Sequence, residues 1–211
     1  MGSSRENILK RLQEAKDKRG DRKMVRPDFS SAIYHAPSKK LTDSFQANLE
    51  LVGGTVIRVK NLSKAVAELK KLVISEKLGN IVCLEPVLQE ALKSQVDFQS
   101  SMGDLQHVDV GITSCEFLVA HLGSILVSSA GSSGRRMNVF QETHLIVAHK
   151  SQVVSYLDDA LIELEKKYPN RLPSSITNIT GPSRTADIEK TLVMGMHGPK
   201  KLFVLLTDEP F

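Results

Sequence analysis

Short apolar runs alternate with helical patterns in the first half of the chain, and this alternation limits the fold more than any other feature. The run TVIRV at 55–59 precedes apolar residues at helical spacing over 65–73, and NIVCLE at 80–85 precedes a helical pattern at 87–94. Strand–helix–strand repeats predict parallel strands joined by right-handed crossovers. We therefore predict an α/β fold with a mostly parallel sheet that is covered by helices.

The C-terminal half extends the same pattern. The run KLFVLLTD at 201–208 is almost continuously apolar, which is typical of a central strand buried on both faces. SITNIT at 175–180 predicts another strand. The spacing of apolar residues predicts a helix over 42–52 and a second one from a Ser151 cap to about Lys167.

The middle of the chain mixes strand and helix signals. We predict a strand end at 109–112, a short helix over 114–121, and strands at 124–129 and 143–149. The last two strands are separated by a turn rich in small residues, so they are candidates for an antiparallel pair.

Positive charge is concentrated at the N-terminus. Residues 1–26 hold nine Lys or Arg and four Asp or Glu, a net charge of +5, and the remainder carries −1. Helical spacing predicts an amphipathic helix from Ser4 to about Lys18. We predict a basic helical arm and linker over 1–40 and a single α/β domain over 41–211. A solvated arm is the simpler interpretation, because no aromatic residues interleave with the charges; nucleic-acid binding is the alternative.

Several classes of protein are not expected. No apolar run approaches the roughly 18–20 residues that span a bilayer, and the N-terminus lacks the apolar core of a secretory signal, so we expect a soluble cytoplasmic protein. Cys83 and Cys115 are the two cysteines of the chain. Without a Cys-x-x-Cys pair, this chain is not expected to hold an iron–sulfur cluster or zinc by itself. No histidine pair has helical metal-binding spacing, so no metal site is predicted.

The segment from Thr180 to Pro199 is dense in special residues. Pro182 follows a strand end, and Ser183 or Thr185 is suited to cap a helix whose free N–H groups, with Arg184, would attract a phosphate or carboxylate. The alternative is structural: Asp187 and Glu189 would lie in the first turn and satisfy it internally.

This segment also resembles a known family. TGPSRTADIEKTLVMGMHGPKKLFVLLTD at 180–208 is similar to the C-terminal signature of the lactate utilization proteins of the LUD domain family, in particular their small C subunit. The likeness extends to GITSCEFLVAHLGSILVSS at 111–129, to GSSGRRMNVFQETHLIVAHKSQVV at 131–154 and to SRENILKRL at 4–12. It covers essentially the whole chain.

The resemblance implies a three-layer α/β/α fold with a mostly parallel sheet, similar to the superfamily of sugar-phosphate isomerases, coenzyme A transferases and formyltetrahydrofolate cyclo-ligases. It also implies an accessory or regulatory subunit of an L-lactate oxidation system, whose iron–sulfur clusters are carried by partner subunits and not by this chain. Self-association is compatible with this role. One departure is His121, where the family usually has an acid.

If loops converge at one edge of the sheet, they predict a pocket for a small anionic ligand. Arg136 and Arg184 would hold the anion. Glu116 resembles a position where related transferases carry an acid nucleophile, so it is the catalytic candidate; the alternative is a solvated helix residue. The stand-alone enzyme, acting on a carboxylate, phosphate or coenzyme A thioester, is the second function considered. The predicted ligand-binding residues are Thr113, Ser124, Arg135, Arg136, Gly181, Ser183, Arg184, Asp187 and His197.

Overall fold

The computed structural model describes residues 3–19, 40–101, 108–185 and 192–211. The chain separates into two units, Met1–His35 and Ala36–Phe211, and each is described by itself. The first contains helix α1 (Ser4–Arg19), which confirms the helix predicted for the arm. Its apolar side chains Ile8, Leu9 and Leu12 are all exposed. The domain boundary at residues 40 and 41 stays a prediction.

The second unit contains four further helices and eleven strands among its described residues. The helices are α2 (Leu41–Leu51), α3 (Leu62–Ser75), α4 (Pro86–Leu92) and α5 (Leu157–Lys167). The strands are β1 (Thr55–Val59), β2 (Ile81–Cys83), β3 (Val110–Thr113), β4 (Phe117–Val119), β5 (Ser124–Ser128), β6 (Thr143–His149), β7 (Val153–Val154), β8 (Ile176–Ile179), β9 (Arg184–Thr185), β10 (Val193–Met194) and β11 (Lys201–Thr207).

Five parallel strands form the central sheet in the order β1–β11–β6–β3–β2. The almost continuous apolar run of β11 lies between β1 and β6. Its side chains alternate between two buried clusters, with Val204 facing one and Leu205 the other. The prediction of an α/β fold with a mostly parallel sheet is confirmed, and so is the central position of this strand.

The two faces of the central sheet are covered differently. Helices α3 and α4 pack on one face through residues such as Leu69 and Leu88. Helix α2 and a second sheet, in the order β7–β4–β5–β8, cover the other face. Helix α5 packs on the outer face of this second sheet through Ala160 and Leu164. The second sheet is an additional layer that the sequence pattern did not predict.

Three predictions in the middle of the chain are wrong. Residues 117–119, predicted as helix, form β4, because Leu118 and Val119 are buried in different apolar clusters on opposite faces of the second sheet. The strands at 124–128 and 143–149 are not paired with each other but belong to separate sheets. Residues 153–154 form β7, and α5 begins at Leu157 with Tyr156 as its cap, not Ser151.

The predicted helix after Pro182 is also wrong where the structure describes it. Arg184–Thr185 and Val193–Met194 pair as the antiparallel strands β9 and β10. Ser183 and Thr185 are therefore not helix caps in this structure. Asp187, predicted as a ligand-binding residue, lies outside the described residues.

Candidate functional site

The candidate site lies where two neighbouring parallel strands send their chains to opposite faces of the sheet. Strand β2 leads into α4, which packs on the α3 side, whereas β3 leads into β4 of the second sheet on the other side. Such a divergence opens a crevice at the carboxyl ends of the two strands, and ligands of open α/β sheets bind in this crevice. Glu85 follows β2 there, and 114–116 follow β3.

A cavity of about 140 Å³ occupies this crevice. An apolar cavity of roughly 150 Å³ holds benzene, so the volume suits a ligand of about six non-hydrogen atoms. The lining is polar and contains side chains from β3, β5, the loop at 130–138 and the end of α5. The lining residues are Glu85, Thr113, Ser114, Cys115, Glu116, Val127, Ser128, Ala130, Gly131, Ser133, Asn138, Lys167 and Tyr168.

Glu116 is the centre of a polar cluster in this lining. Its residue is 9% exposed, and its carboxylate accepts hydrogen bonds from Ser128 Oγ (2.6 Å), Lys167 Nζ (2.7 Å) and the Tyr168 hydroxyl (3.0 Å). Lys167 is the last residue of α5 and Tyr168 caps that helix, so α5 brings both side chains to the cavity. The alternative interpretation, in which Glu116 is a solvated helix residue, is therefore wrong, because the residue is buried and lies outside a helix.

These contacts determine the charge of the cluster. Burial alone would raise the pKa of the Glu116 carboxyl, but the hydrogen bonds from Lys167, Ser128 and Tyr168 outweigh it, so the pKa is lowered. Burial likewise acts to lower the pKa of Lys167, yet the hydrogen bond and charge of Glu116 raise it overall. Burial and the nearby carboxylate raise the pKa of Tyr168. The cluster thus holds a carboxylate, an ammonium group and a neutral phenol at neutral pH.

Glu85 supplies a second carboxylate, just after the neighbouring strand β2. Its Oε1 accepts hydrogen bonds from the backbone N–H of Ser114 (2.9 Å) and from Ser133 Oγ (2.6 Å). These bonds connect the loop after β2, the loop after β3 and the loop at 130–138. Glu85 was missed from the sequence, although its position directly after the strand NIVCLE was a usable signal.

The inner wall of the cavity includes a hydroxyl bonded to a buried histidine. Thr113 Oγ1 lies 2.9 Å from His144 Nε2 on the neighbouring strand β6, and both residues are buried. Burial lowers the pKa of His144 to about 3. The imidazole is therefore neutral at physiological pH. Its second nitrogen, Nδ1, has no hydrogen-bond partner within the described part of the chain.

Cys115 is not an activated thiol in this setting. Burial and the nearby charges of Glu116 and Glu85 raise the pKa of its thiol. A thiol reacts as a thiolate, so a raised pKa makes it inert. Gln152 Nε2 donates to the carbonyl of Cys115 (2.6 Å) and to that of Glu116 (3.2 Å), and thereby fixes the loop that presents Glu116.

Of the predicted site residues, Thr113 and Glu116 line this cavity and the others described lie elsewhere. Ser124 is fully buried in β5, and its hydroxyl has no hydrogen-bond partner among the residues that the structure describes. Arg135 donates to the Ser174 carbonyl (3.3 Å), and the Arg136 guanidinium lies 5.6 Å from the centre of the Phe140 ring. His197 lines a different groove, next to Lys200.

Arg184 and Gly181 contact the end of α2. Arg184 Nη2 donates to the carbonyl of Val52, the C-cap residue of α2, at 2.7 Å. Gly181 has φ 78°, and a Cβ there would lie 2.6 Å from the same carbonyl oxygen. Ser183 is held through backbone bonds to Pro199 and Gly195. A cation at a helix C-terminus stabilises the helix dipole, so these residues have a structural role in this conformation.

Replacing Arg184 with alanine is therefore expected to lower the free energy of unfolding by about 1 kcal/mol, since one charge-assisted hydrogen bond at the end of α2 is lost. Urea denaturation followed by circular dichroism measures this change. Arg171→Ala, which removes an exposed arginine near the end of α5, is the matched control. Unchanged stability combined with loss of phosphate binding would instead support the predicted anion site.

His121, the departure from the family pattern, lies away from the cavity. It sits at the turn between β4 and β5, where its ring packs 5.4 Å from that of Tyr156. The carbonyls of Ala120 and His121 accept hydrogen bonds from Asn48 of α2. His121 is not among the residues that line the cavity. His121 therefore belongs to the turn next to α2 and not to the cavity lining.

Within the described ranges, no group of three His, Cys, Asp or Glu side chains is arranged to hold a metal ion. Within the same ranges, no helix combines the length and apolar character needed to cross a membrane.

Residues 88–207 match the sequence pattern of the LUD domain. This segment contains Thr113, Glu116, Lys167 and Tyr168, but Glu85 precedes it.

Curated relatives are similar over a shorter stretch. A lactate utilization protein C from Bacillus subtilis is 35% identical over 106 residues, which is 49% of this chain and 44% of the relative. One from Shouchella clausii is 32% identical over 114 residues, 54% of this chain and 50% of the relative. The chain thus spans about half the length of the curated relatives it matches.

A solved structure of a DUF162 family protein from Deinococcus radiodurans has a similar fold. It aligns with a TM-score of 0.55 and 18% sequence identity, over 79% of this chain and 96% of that one. At this identity the likeness concerns the fold alone.

Proposed function

Because this chain belongs to the LUD domain family, we propose that it serves lactate utilization as an accessory subunit beside iron–sulfur partner subunits. The observation that carries this proposal is its similarity to curated proteins named for lactate utilization, at 32 and 35% identity. The two cysteines support a role without a cluster, since both are buried and they lie in apolar clusters on opposite faces of the central sheet.

We also propose that the cavity at the ends of β2 and β3 is the ligand site of this subunit. It combines the preferred position for ligands in an α/β sheet with convergent polar groups and shifted pKa values, which together mark functional sites. A subunit with such a site would report the presence of a small metabolite to its partners. The small anion predicted from the sequence is one of the ligands to be tested.

Growth on L-lactate tests the cellular role. A Bacillus subtilis strain that lacks its lactate utilization protein C is expected to regain growth on L-lactate when it expresses this chain. The same strain with an empty vector and growth on glucose are the controls. If the expressed, folded chain leaves growth on L-lactate unrestored, the proposed role in lactate utilization is contradicted.

Affinity purification from the organism that carries the chain tests the partnership. A tagged chain is expected to retain proteins whose visible absorption and iron content indicate iron–sulfur clusters, whereas the chain purified alone is expected to be colourless. Retention of no iron-containing protein from lactate-grown cells would contradict the subunit role. A parallel purification with a tagged chain that lacks residues 3–19 tests whether the basic arm contributes to the association.

The stand-alone enzyme is the second candidate, and the Glu116 cluster favours it, because a buried carboxylate, a lysine and a tyrosine converge on one cavity. Direct attack by Glu116 is disfavoured, since both of its oxygens accept hydrogen bonds. Arg184 lies outside the cavity lining, so it would not act on the same ligand atom. Turnover by the isolated chain that is lost in Glu116→Gln, with folding unchanged, would favour the enzyme over the accessory subunit.

A further inference from the structure

The cavity carries an unbalanced negative charge. Among the described residues, the charged side chains that line it are Glu85, Glu116 and Lys167. Lys167 neutralises Glu116 through an ion pair of 2.7 Å, whereas the partners of Glu85 are a backbone amide and a serine hydroxyl, both neutral. A ligand with a free carboxylate would meet the Glu85 carboxylate, and like charges that are brought together in this crevice repel. The cavity therefore favours a neutral ligand.

Glu85 also offers a hydrogen-bond acceptor. Both of its donors, Ser114 N and Ser133 Oγ, bind Oε1. Oε2 accepts no hydrogen bond from any residue that the structure describes. An ionised carboxylate oxygen can only accept, so it fits a ligand hydroxyl and not a ligand carbonyl.

The inner wall of the cavity offers a donor. The neutral His144 ring carries one hydrogen, on Nδ1 or on Nε2. A hydrogen on Nδ1 would leave a buried donor without an acceptor, and orphaned buried donors are rarer than under-satisfied acceptors. With the hydrogen on Nε2, the ring donates to Thr113 Oγ1 over 2.9 Å. The hydroxyl hydrogen of Thr113 is then directed away from His144 and is available to a ligand in the cavity that Thr113 lines.

We propose that the cavity binds a small neutral hydroxy compound, whose hydroxyl donates to Oε2 of Glu85 and whose second oxygen accepts from the Thr113 hydroxyl. His144 is the positioning residue for Thr113. The cavity volume of about 140 Å³ suits a compound of about six non-hydrogen atoms. This inference rests on the proposal that the cavity is the ligand site, and it names the class of ligand.

Two probes of equal size test whether the charge of the ligand, and not its shape, determines binding. L-lactate and its amide, L-lactamide, each have six non-hydrogen atoms and the same hydroxyl, but only L-lactate is charged. In titrations followed by ¹H–¹⁵N NMR at neutral pH, L-lactamide is expected to shift the amide signals of Thr113 and Ser114 and to bind about tenfold more tightly than L-lactate, a difference of about 1.4 kcal/mol. Equal or tighter binding of L-lactate, or no response of these signals to either probe, would overturn the proposal.

Variants of Glu85 and Thr113 test the acceptor and the donor that are proposed to bind the ligand. Glu85→Gln is expected to bring the affinities of the two probes together, whereas Glu163→Gln, an exposed carboxylate on α5 paired with Lys166, should leave their ratio unchanged. Thr113→Val is expected to weaken binding of L-lactamide and Thr113→Ser to restore it. If Thr113→Ser behaves like Thr113→Val in a folded protein, the hydroxyl is not the donor.

The tautomer of His144 can be measured without a ligand. The ¹⁵N chemical shifts of its ring are expected to indicate a hydrogen on Nε2, and a hydrogen on Nδ1 would contradict its positioning role.

The growth and binding experiments also distinguish this inference from the proposed cellular role. Rescue of growth on L-lactate without binding of L-lactamide would overturn the inference alone. Binding of L-lactamide without rescue would overturn the lactate-utilization role alone.

Discussion

Replacing Lys167 with methionine is expected to lower the free energy of unfolding by about 2 kcal/mol at neutral pH. In the variant, the carboxylate of Glu116, a residue that is only 9% exposed in the wild type, loses its cationic partner. Breaking a fully buried ion pair costs roughly 3–5 kcal/mol. The expected cost is smaller here, because the Lys167 side chain is 54% exposed and water screens part of the interaction.

Urea denaturation of three variants isolates this pair. Lys166→Met removes the neighbouring lysine, whose partner Glu163 is exposed, and is expected to change stability by less than about 0.5 kcal/mol. Adding Glu116→Gln to Lys167→Met is expected to recover part of the loss, since a neutral amide replaces the uncompensated charge. Equal effects of Lys167→Met and Lys166→Met would mean that the cluster contributes no more than a surface ion pair.

The pH dependence of this pair has a defined sign. The pKa of Glu116 is lowered in the folded protein, so its contribution is present above the ordinary carboxyl pKa and is lost as the pH falls through the folded value. The pKa of Lys167 is raised, so its contribution is lost only as the pH rises through that raised value.

Mild acid is expected to destabilise the protein through His144. Burial lowers the pKa of this ring from 6.5 to about 3, so between these values the unfolded chain binds a proton that the folded chain does not. Stability therefore falls as the pH drops below 6.5, by about 2 kcal/mol between about pH 8 and about pH 5. The loss continues until the pH reaches the folded pKa.

The variant His144→Gln keeps an amide donor near the Nε2 position and removes the titration. It is expected to flatten the stability profile between about pH 8 and about pH 5, whatever its stability at neutral pH. His197→Gln, which removes an exposed histidine, is the control and should keep the wild-type slope. The same slope in His144→Gln and in the wild type would show that other groups cause the loss in acid.

The parts of the fold that could be predicted from sequence are the elements in which buried positions recur in one regular pattern from end to end. The run at 201–208 is apolar at nearly every position, and it forms the central strand β11, which is buried on both faces. The regular helical spacing at 65–73 similarly lies within α3. In both cases one regular pattern of burial extends over the whole segment, so the local sequence pattern indicates the element directly.

In the second sheet, the local sequence pattern does not indicate the secondary structure. Strand β4 has three residues and β7 has two, which is too short for an alternation to be recognised. Val153 and Val154 also fit the helical spacing that continues into α5. Pairing with β4 decides their conformation, and pairing between distant segments is not encoded in local periodicity.

The expected convergence of loops at one edge of the sheet identified Thr113 as a candidate, and the resemblance to an acid position of related transferases identified Glu116. Their partners lie far away in the sequence: Lys167 is 51 residues from Glu116, and His144 is 31 residues from Thr113. Arg184, prominent in the sequence for its charge and its neighbours, instead caps α2 from 132 residues away.

The sequence by itself thus determined the class of fold, the central strand, the charge of the arm and two residues of the candidate site. Only the tertiary structure decided which acids, hydroxyls and cations share the cavity and which serve as helix supports. The physical reason is that a side chain acquires its charge state from burial and from hydrogen-bond partners, and these are supplied by elements that meet only when the sheet is assembled.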